Sequence, residues 1–582
     1  MKKLLKYLKP YWWIAIGSPI CMILEVLVDL ALPTIMRTIV NGSLAAGTLE
    51  EGLSVVAKNG GLMMLLVLIG GLTGLGAAGF ASAASQSFGN DLRRDAFSKV
   101  MSLSPEQTDK FTVGSLVTRL TNDITMMQSF VAAALRIFFR SPIMFVGGII
   151  MAILLNPKFG LIILVSLPLQ LIFVWLVMRK VRPMFDDVQT RLDRVNAVVQ
   201  ENVMGARVVK AYVNEEHEIK RFRAANEDLY NRMIRVQFTM AILSPIMMIV
   251  MNLSVVAVIL LGGYEVQNGV IEVGDVMAVI TYITQILHSV MMFASMFQFI
   301  SRAQASAKRI NEIMDSIPVI QDGEYEGEGE ENERGHVVFK NVMFRYPNTF
   351  GSPVLHHIDL DIKAGENIAI LGTTGSGKTS LVQMIPRYYD STEGEVILDG
   401  VPVKDYTLKA LRTKIAYVLQ KSELFSGTVA ENLRWGNENA TDEELLEAAQ
   451  IAQADEFISK FSAGFDTMIS EKGASLSGGQ KQRLAIARAL LKKPDVLIFD
   501  DSMSALDVAT GAKLQKALRE KLSSLTVITI AQRVASVMNA DRILVLDGGT
   551  IAACGTHDEL LETSPIYRDI YESQLKRGES IE

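Results

Sequence analysis

The stretch "LGTTGSGKTS", residues 371–380, combines closely spaced glycines with a lysine and a threonine. The apolar run "NIAIL" precedes it and "SLVQMI" follows it, which predicts a strand, a tight loop and a helix in that order. Glycines allow backbone N–H groups to turn toward phosphate oxygens, and a helix N-terminus adds partial positive charge. The stretch therefore predicts a phosphate-binding loop in an α/β domain, in which Lys378 reaches the terminal phosphates and Thr379 holds magnesium.

The predicted ATP contacts of this loop occupy nine consecutive positions. They are Gly372, Thr373, Thr374, Gly375, Ser376, Gly377, Lys378, Thr379 and Ser380.

A second motif, the acidic stretch "VLIFDDSMSALD" at 496–507, supports the same interpretation. Its apolar start predicts a buried strand, and Asp500 and Asp501 follow where that strand ends. Carboxylate oxygens suit magnesium, so Asp500 is expected to be the metal ligand beside Thr379. Asp501 occupies the position expected for the base that activates water. ATP and Mg²⁺ are the predicted cofactors.

The 582 residues divide by composition into an apolar first part and a second part typical of soluble proteins. A bilayer-spanning helix needs about 20 apolar residues, and the segments that meet this requirement lie near 12–36, 56–85, 133–155, 159–180, 240–263 and 275–300. We predict an α-helical six-span transmembrane domain over 1–320, an acidic flexible linker over 321–335, and an α/β P-loop nucleotide-binding domain over 336–582. The net charge of −6 does not indicate binding to nucleic acid.

Basic residues concentrate in the loops after the second and fourth predicted spans, which places both termini and the nucleotide-binding domain in the cytoplasm. The basic, amphipathic start "MKKLLKYLKPYWW" is expected to lie on the inner membrane surface. Residues 86–132 and 181–239 are polar and periodic, so the spans are expected to continue beyond the membrane as helices. The predicted tips are 112–123 and 204–216.

The motif "LSGGQ" precedes a predicted helix and forms a second anion cradle, at Ser477, Gly478, Gly479 and Gln480. One nucleotide does not need two such cradles on different faces of one domain. We therefore expect these residues to contact the nucleotide bound by a partner domain.

With these motifs, the chain resembles an ATP-binding-cassette transporter half of the exporter arrangement, with six spans before one cassette. The resemblance implies that Tyr346 in "FRYPN" stacks on adenine and that Gln420 in "YVLQKSELF" senses magnesium. It also implies that Asp507 in "SALD" belongs to the D-loop, that Glu471 faces the intracellular helices, and that the two tips dock on cassettes.

Two positions depart from the family pattern. The residue after the magnesium aspartate is usually Glu and is Asp501 here, and the switch histidine is replaced by Gln532 in "IAQRV". Losing a methylene withdraws the carboxylate from the attacking water, and glutamine has no titratable proton near neutral pH. The pattern predicts a degenerate site with slow or absent hydrolysis, paired with a similar half-transporter that bears the Glu and the His. The alternative is that Asp501 works through a shifted water.

The transported compound is indicated only weakly by the sequence. Glu25 and Asp29 lie one turn apart in the first span, where they could attract hydrophobic or cationic molecules or instead pair with Arg136 or Arg140. Several methionines could line an adaptable pocket, although lipid-facing or packed positions are the favoured interpretation. These candidates are Met240, Met247, Met248, Met251, Met291, Met292 and Met296.

The resemblance makes export of amphipathic drugs or lipids the leading prediction, with ATP hydrolysis coupled to transport. An importer with exporter-like architecture and an ATP-gated regulatory or channel-like subunit are the alternatives. The expected location is a bacterial inner membrane, with membrane lipid around the spans.

Overall fold

The computed structural model describes residues 1–327, 333–347, 349, 351–522 and 524–579. The chain forms two compact units. The first comprises Met1–Met101 and Gly114–Ser316, and the second comprises Ser102–Val113 and Ile317–Glu582. The short segment Ser102–Val113, predicted to extend the membrane domain, instead belongs to the second unit. Gln107 joins this segment to residues 317–319 of the same unit. Its Nε2 donates to the Ile317 carbonyl at 2.8 Å, and its Oε1 accepts from Val319 N at 3.3 Å.

The first unit is built from long helices after a short 3₁₀ helix at Leu4–Tyr11. Its helices, with the short α3 of the second unit included for chain order, are α1 Trp12–Ala45, α2 Leu49–Met101, α3 Pro105–Phe111, α4 Val113–Thr118, α5 Ile124–Leu155, α6 Pro157–Met204, α7 Ala206–Ala211, α8 Glu215–Ala241, α9 Leu243–Gln267 and α10 Val273–Met314. Within the described residues, six helical segments are long and apolar enough to cross a membrane. This confirms the predicted six spans.

The membrane-facing character of these helices follows from which side chains they expose. Leu68, Leu72, Leu164 and Leu260 are more than 60% exposed on helices that cross the apolar region. Backbone groups in a bilayer must be satisfied within the segment, and a helix satisfies them. Exposed leucines on such a helix are therefore expected to contact lipid.

The cytoplasmic extensions of the spans form as predicted, but the first tip is displaced. Residues 113–123 are helical, since α4 is followed by a π-helical turn at Arg119–Asp123. The chain reverses earlier, around α3, and Thr112 has a φ of 58°. The prediction that "TVGSLVTRLTND", residues 112–123, forms the tip is therefore wrong. The second tip lies where it was predicted, because α6 ends at Met204 and α8 begins at Glu215.

The second unit contains the α/β domain. Its strands are β1 Val337–Phe344, β2 Leu355–Ile362, β3 Asn367–Gly372, β4 Glu393–Leu398, β5 Val401–Pro402, β6 Ile415–Val418, β7 Gly427–Thr428, β8 Met468–Ile469, β9 Val496–Asp500, β10 Thr526–Ile530, β11 Arg542–Asp547 and β12 Thr550–Gly555. Its helices after α3 are α11 Lys378–Gln383, α12 Leu408–Lys414, α13 Val429–Arg434, α14 Asp442–Ile451, α15 Asp455–Ile458, α16 Gly478–Leu491, α17 Val508–Lys521, α18 His557–Thr563 and α19 Pro565–Glu579.

Three sheets organise these strands. A six-stranded sheet runs β12-β11-β3-β10-β9-β6, a four-stranded antiparallel sheet runs β2-β1-β4-β5, and β7 pairs with β8. In the larger sheet β3, β10, β9 and β6 are parallel neighbours, with Ile370 opposite Ile530 and Ile530 opposite Asp500. Their carboxyl ends therefore meet at one edge, where open α/β sheets bind ligands.

The segment predicted as a flexible linker is attached to the α/β domain on both sides of residues 328–332, which lie outside the described residues. Tyr325 N donates to the Asp405 carbonyl at 2.8 Å, and Asp322 Oδ1 accepts from Leu408 N at 2.6 Å. On the other side Gly335 N donates to the buried Asp399 at 2.7 Å. The acidic, glycine-rich composition predicts a flexible linker. Composition alone does not reveal these hydrogen bonds to the α/β domain.

Candidate functional site

The loop after β3 adopts the conformation that its glycines permit. Gly372 has a φ of 154°, and a Cβ atom there would lie 2.1 Å from the Leu546 carbonyl oxygen. Gly377 has a φ of 98°, and a Cβ atom there would lie 2.7 Å from Leu355. Only glycine fits both positions without displacing backbone or core. The loop thus runs from the end of β3 directly into the first turn of α11.

The interior of this loop matches an anionic ligand. Lys378 Nζ donates to the carbonyls of Gly372 and Thr373, both at 2.8 Å, so the amine lies across the loop. Burial lowers the pKa of Lys378 below its ordinary value, and the nearby Asp501 and Asp500 carboxylates oppose that shift. The Ser376 hydroxyl is buried without a hydrogen-bond partner. A phosphate oxygen would accept from the Ser376 hydroxyl and from the third N–H of the Lys378 ammonium.

Two oxygen groups suited to magnesium lie side by side at the sheet edge. Thr379 Oγ1 donates to Asp500 Oδ1 at 2.9 Å, which joins the start of α11 to the end of β9. Hydroxyl and carboxylate oxygens are ligands that Mg²⁺ accepts. The two residues therefore fit the predicted metal. When bound with ATP, Mg²⁺ would neutralise charge on the phosphate oxygens.

A third residue holds the same aspartate and was not predicted. Tyr417, in β6, donates its hydroxyl to Asp500 Oδ2 at 2.7 Å. Burial and the nearby Asp500 carboxylate raise the pKa of Tyr417 above its ordinary value, so the phenol keeps its proton and remains a donor. A tyrosine three residues before Gln420 was visible in "YVLQ", but the sequence does not show that β6 lies beside β9.

Asp501 has a conformation and a set of contacts distinct from those of Asp500. Its φ of 50° is left-handed, and its backbone N–H donates to the Ile530 carbonyl at 3.1 Å. One carboxylate oxygen, Oδ2, accepts from Gln420 Nε2 at 2.9 Å and from Gln532 Nε2 at 2.6 Å. The other oxygen, Oδ1, is buried and has no hydrogen-bond partner. The structure therefore brings together the three residues predicted at the base, switch and magnesium-sensing positions.

These groups surround one cavity of about 410 Å³. Its lining residues come from the loop with the start of α11, from the ends of β6, β9 and β10, and from two residues before β2. They are Tyr346, Val354, Thr374, Gly375, Gly377, Lys378, Thr379, Ser380, Gln420, Asp501, Ile530 and Gln532. Tyr346 is half-buried and its hydroxyl hydrogen-bonds Ser380 Oγ at 2.9 Å. The cavity has the size and mixed character of small-molecule sites.

The predicted signature residues lie elsewhere. Ser477 caps the N-terminus of α16: its Oγ accepts from Gln480 N at 3.3 Å, and its backbone N–H donates to Gln480 Oε1 at 2.9 Å. Asp507 caps α17 by accepting from Thr510 N at 2.9 Å. Neither Ser477–Gln480 nor Asp507 is among the described residues that line the nucleotide cavity. The contact of these residues with a partner's nucleotide stays a prediction.

The membrane unit contains a second cavity, of about 510 Å³. Arg140 forms ion pairs with Glu25 and with Asp29, the latter at 3.1 Å, so the pairing alternative predicted from the sequence is the one present. Asp29 and Arg140 also line the cavity, whereas Glu25 does not. Five of the seven candidate methionines line it as well, against the favoured interpretation. These are Met247, Met248, Met251, Met291 and Met292.

Comparison with known protein families finds a match in each of the two units. Residues 15–290 match the ABC transporter transmembrane region, and residues 355–504 match the ABC transporter family model. The chain is 40% identical to the uncharacterized ABC transporter ATP-binding protein YfiB of Bacillus subtilis, over 99% of both chains. It is 32% identical to an ATP-dependent lipid A-core flippase of Chromobacterium violaceum, over 100% of this chain and 98% of that protein.

A solved structure has the same architecture. It is a bacterial Atm1-family ABC exporter with ATP bound, which matches with a TM-score of 0.79 and 25% identity over 96% of this chain and 98% of its own. The six membrane-spanning helices, the cytoplasmic nucleotide-binding domain and these matches agree. The chain belongs to the ABC transporter family and is an exporter half-transporter.

Proposed function

We propose that this chain is the degenerate subunit of a heterodimeric, ATP-driven exporter of amphipathic compounds or lipids in a bacterial plasma membrane. Its own site binds MgATP through the loop at 372–380, Asp500 and Gln420, and hydrolyses it slowly or not at all. Its signature residues, Ser477–Gln480, complete the hydrolytic site of a homologous partner that carries the glutamate and the histidine.

The pairing of Asp501 with Gln532 carries this proposal. Gln532 donates to Asp501 Oδ2 at 2.6 Å, and Gln420 donates to the same oxygen at 2.9 Å. Both amide contacts hold the carboxylate at the strand ends, while the shorter side chain reaches less far than glutamate. General-base catalysis typically contributes about 10²–10⁴-fold, and it requires contact with the proton donor within about 2.6–3.2 Å. Loss of that contact is therefore sufficient to make this site slow.

In this arrangement the residues that bind MgATP differ from the residues that would activate water for hydrolysis. The glycine loop, Lys378, Thr379 and Asp500 retain the groups that hold phosphates and magnesium. These residues do not move a proton in the reaction. Asp501 is the group that would accept one from water, and Gln532 offers an amide N–H where the family has an imidazole. A site with intact binding groups and an altered base would hold ATP for long periods.

The proposed cargo class draws support from relatives and from the membrane cavity. Two relatives are named ATP-dependent lipid A-core flippase, from Chromobacterium violaceum and from Aromatoleum aromaticum, each 32% identical to this chain. The membrane cavity combines flexible methionines with one ion-pair cluster. Flexible thioethers suit apolar groups of varied shape.

The identity of the nucleotide that stays bound tests the degenerate-site proposal. The purified full chain is loaded with radiolabelled MgATP, passed through a desalting column, and its nucleotide is identified after incubation. We expect ATP to be recovered from the chain. The matched variant Lys378→Met should retain little nucleotide of either kind. Recovery of ADP from the native chain, at a rate typical of the family, would contradict the proposal.

A further inference from the structure

The terminal helix α19 makes a two-point contact with the loop at residues 531–536, which follows β10 and carries Gln532. Gln574, on α19, accepts at Oε1 from Val534 N at 2.9 Å, and its Nε2 donates to the Gln532 carbonyl at 2.9 Å. A carbonyl only accepts and an N–H only donates, so exchanging the oxygen and nitrogen of this amide would break both bonds. One side-chain amide therefore fixes the backbone on both sides of Arg533.

The position of Gln574 over this loop follows from the apolar face of α19. Tyr567 is fully buried, and Ile570 and Tyr571 pack against the same cluster, which includes Val534 of the loop. Residues three and four apart share a helix face, so Gln574 follows Ile570 and Tyr571 on the side that meets the loop. Apolar packing thus holds α19 on the domain. A variant that lacks only the half-buried Gln574 amide should therefore still fold.

Gln532 is held at its backbone and at its side chain. Its carbonyl accepts from Gln574, and its side-chain Nε2 donates to Asp501 Oδ2 at 2.6 Å. Before it, Ala531 N donates to the Ile370 carbonyl of β3 at 3.2 Å. Gln574 continues this support of the backbone past the end of the sheet.

The later part of the same loop is held by a different helix. Gln515, on α17, donates from Nε2 to the Ser536 carbonyl. Two glutamines from two helices thus hold the loop at separate points, and only Gln574 bonds to Gln532 itself. The second glutamine provides a control of the same chemical type.

Gln574 has no place in the wall of the nucleotide cavity among the described residues, whereas Gln532 and Asp501 both line it. Any effect of Gln574 on a bound nucleotide therefore passes through residue 532. The reach of a side chain depends on where its backbone lies, and a displacement of about 1 Å is enough to break a hydrogen bond of this length.

We propose that Gln574 is a positioning residue of the nucleotide site. It fixes the backbone of residues 532–534 and thereby holds the side chain at position 532 between Asp501 and the nucleotide. The proposal rests on the proposed MgATP site and gives the terminal helix a part in it.

A charge placed at position 532 reports whether that side chain reaches the nucleotide. Affinity for a fluorescent, non-hydrolysable ATP analogue is measured for the native chain, for Gln532→Glu, for Gln574→Met and for the double variant. Methionine has nearly the length of glutamine and lacks the amide. We expect Gln532→Glu to weaken binding at least about tenfold beside the native Gln574, and about threefold or less in the Gln574→Met background.

This ratio separates positioning from a general loss of structure. A merely structural effect of Gln574→Met would weaken binding equally with and without the charge, and would leave the ratio at about tenfold. Gln515→Met removes the contact to Ser536 and should also keep the ratio. Gln574→Glu keeps an acceptor for Val534 N and loses the donor to Gln532, so it should lower the ratio. It still tests the proposal if Gln574→Met does not fold.

An unchanged ratio in both folded Gln574 variants would overturn the proposal, as would an equal fall of the ratio in Gln515→Met. A Gln532→Glu variant that binds as tightly as the native chain would overturn it as well. The analogue is not hydrolysed, so recovery of ADP from the native chain would contradict the degenerate site and leave these ratios readable. Failure of the positioning proposal would likewise leave the identity of the retained nucleotide unaffected.

Discussion

Gln532 Nε2 lies 2.6 Å from Asp501 Oδ2 and donates a hydrogen bond to it, so the residues predicted at the base and switch positions are direct partners. Each side chain is therefore part of the environment of the other. Asp501 has a left-handed backbone at the end of β9, and Gln532 follows the end of the adjacent β10. Parallel register brings the two side chains together.

This contact predicts how charge at position 532 affects nucleotide binding. Gln532→Glu preserves shape but places a second carboxylate against Asp501 and beside the phosphate site. We expect affinity for a fluorescent ATP analogue to fall at least about tenfold, which corresponds to about 1.4 kcal/mol. Gln532→Met, similar in size and uncharged, should bind nearly as the native chain does. Similar affinities for the two variants would show that residue 532 does not face the nucleotide.

Tyr417 is predicted to orient the magnesium ligand. Tyr417→Phe removes the hydroxyl that donates to Asp500 Oδ2 and leaves the ring in place. Loss of such an outer partner typically costs about 10–100-fold in metal affinity. We therefore expect weaker Mn²⁺ binding in the presence of ATP, measured by electron paramagnetic resonance. Tyr388→Phe, whose ring lies 5.6 Å from that of Tyr417, is the control. An unchanged Mn²⁺ affinity in Tyr417→Phe would remove this role.

The ion-pair cluster of the membrane domain is predicted to depend on Arg140. Arg140→Met leaves Glu25 and Asp29 without their shared cation in an apolar region. Breaking a buried pair costs about 3–5 kcal/mol, and the partial exposure of these side chains reduces that figure. We expect a lower thermal transition for the chain in detergent, and partial recovery when Glu25→Gln is added. Arg136→Met, one turn earlier, should change the transition less. Equal losses in the two arginine variants would contradict the assignment.

The alkylation of Cys554 should report its local electrostatics. Cys554 is exposed as a residue, but the desolvation of its thiol by neighbouring atoms raises the pKa of Cys554 above its ordinary value of 9.0. Glu366 and Glu559 act in the same direction, against Arg542. Raising the pH through that ordinary value therefore favours the unfolded chain, in which the thiol ionises more readily. In a Cys21→Ser background, the midpoint of the pH profile for iodoacetamide labelling should lie above 9.0. Glu559→Gln should lower the midpoint, and a native midpoint at or below 9.0 would be the contrary result.

The sequence predicted the spans and the nucleotide site because both depend on local pattern. Long apolar runs identify spanning helices, and a strand followed by a glycine loop identifies a phosphate cradle. Tyr417 was missed because its role depends on β6 lying beside β9. The pairing of Asp501 with Gln532 likewise depends on strand order, which lies between residues distant in the chain.

Errors in the prediction have similar causes. The first cytoplasmic tip was displaced because 113–123 is polar yet helical. The acidic segment at 321–335 appeared free because composition does not reveal backbone contacts such as Tyr325 N to the Asp405 carbonyl. The methionines are predicted to face lipid or the packed core, yet five of the seven line a cavity. The sequence does not show this, because tertiary packing decides which helix faces enclose a cavity.

Magnesium-dependent ATP hydrolysis by the full chain purified alone tests the central claim most directly. It is measured beside the double variant Asp501→Glu, Gln532→His and beside Lys378→Met as the background. We predict that the native chain binds ATP but turns over near the background rate, and that the double variant turns over at least about tenfold faster. Rapid hydrolysis by the native chain, equal to or above that of the double variant, would show that Asp501 is a competent base and would contradict the degenerate-site account.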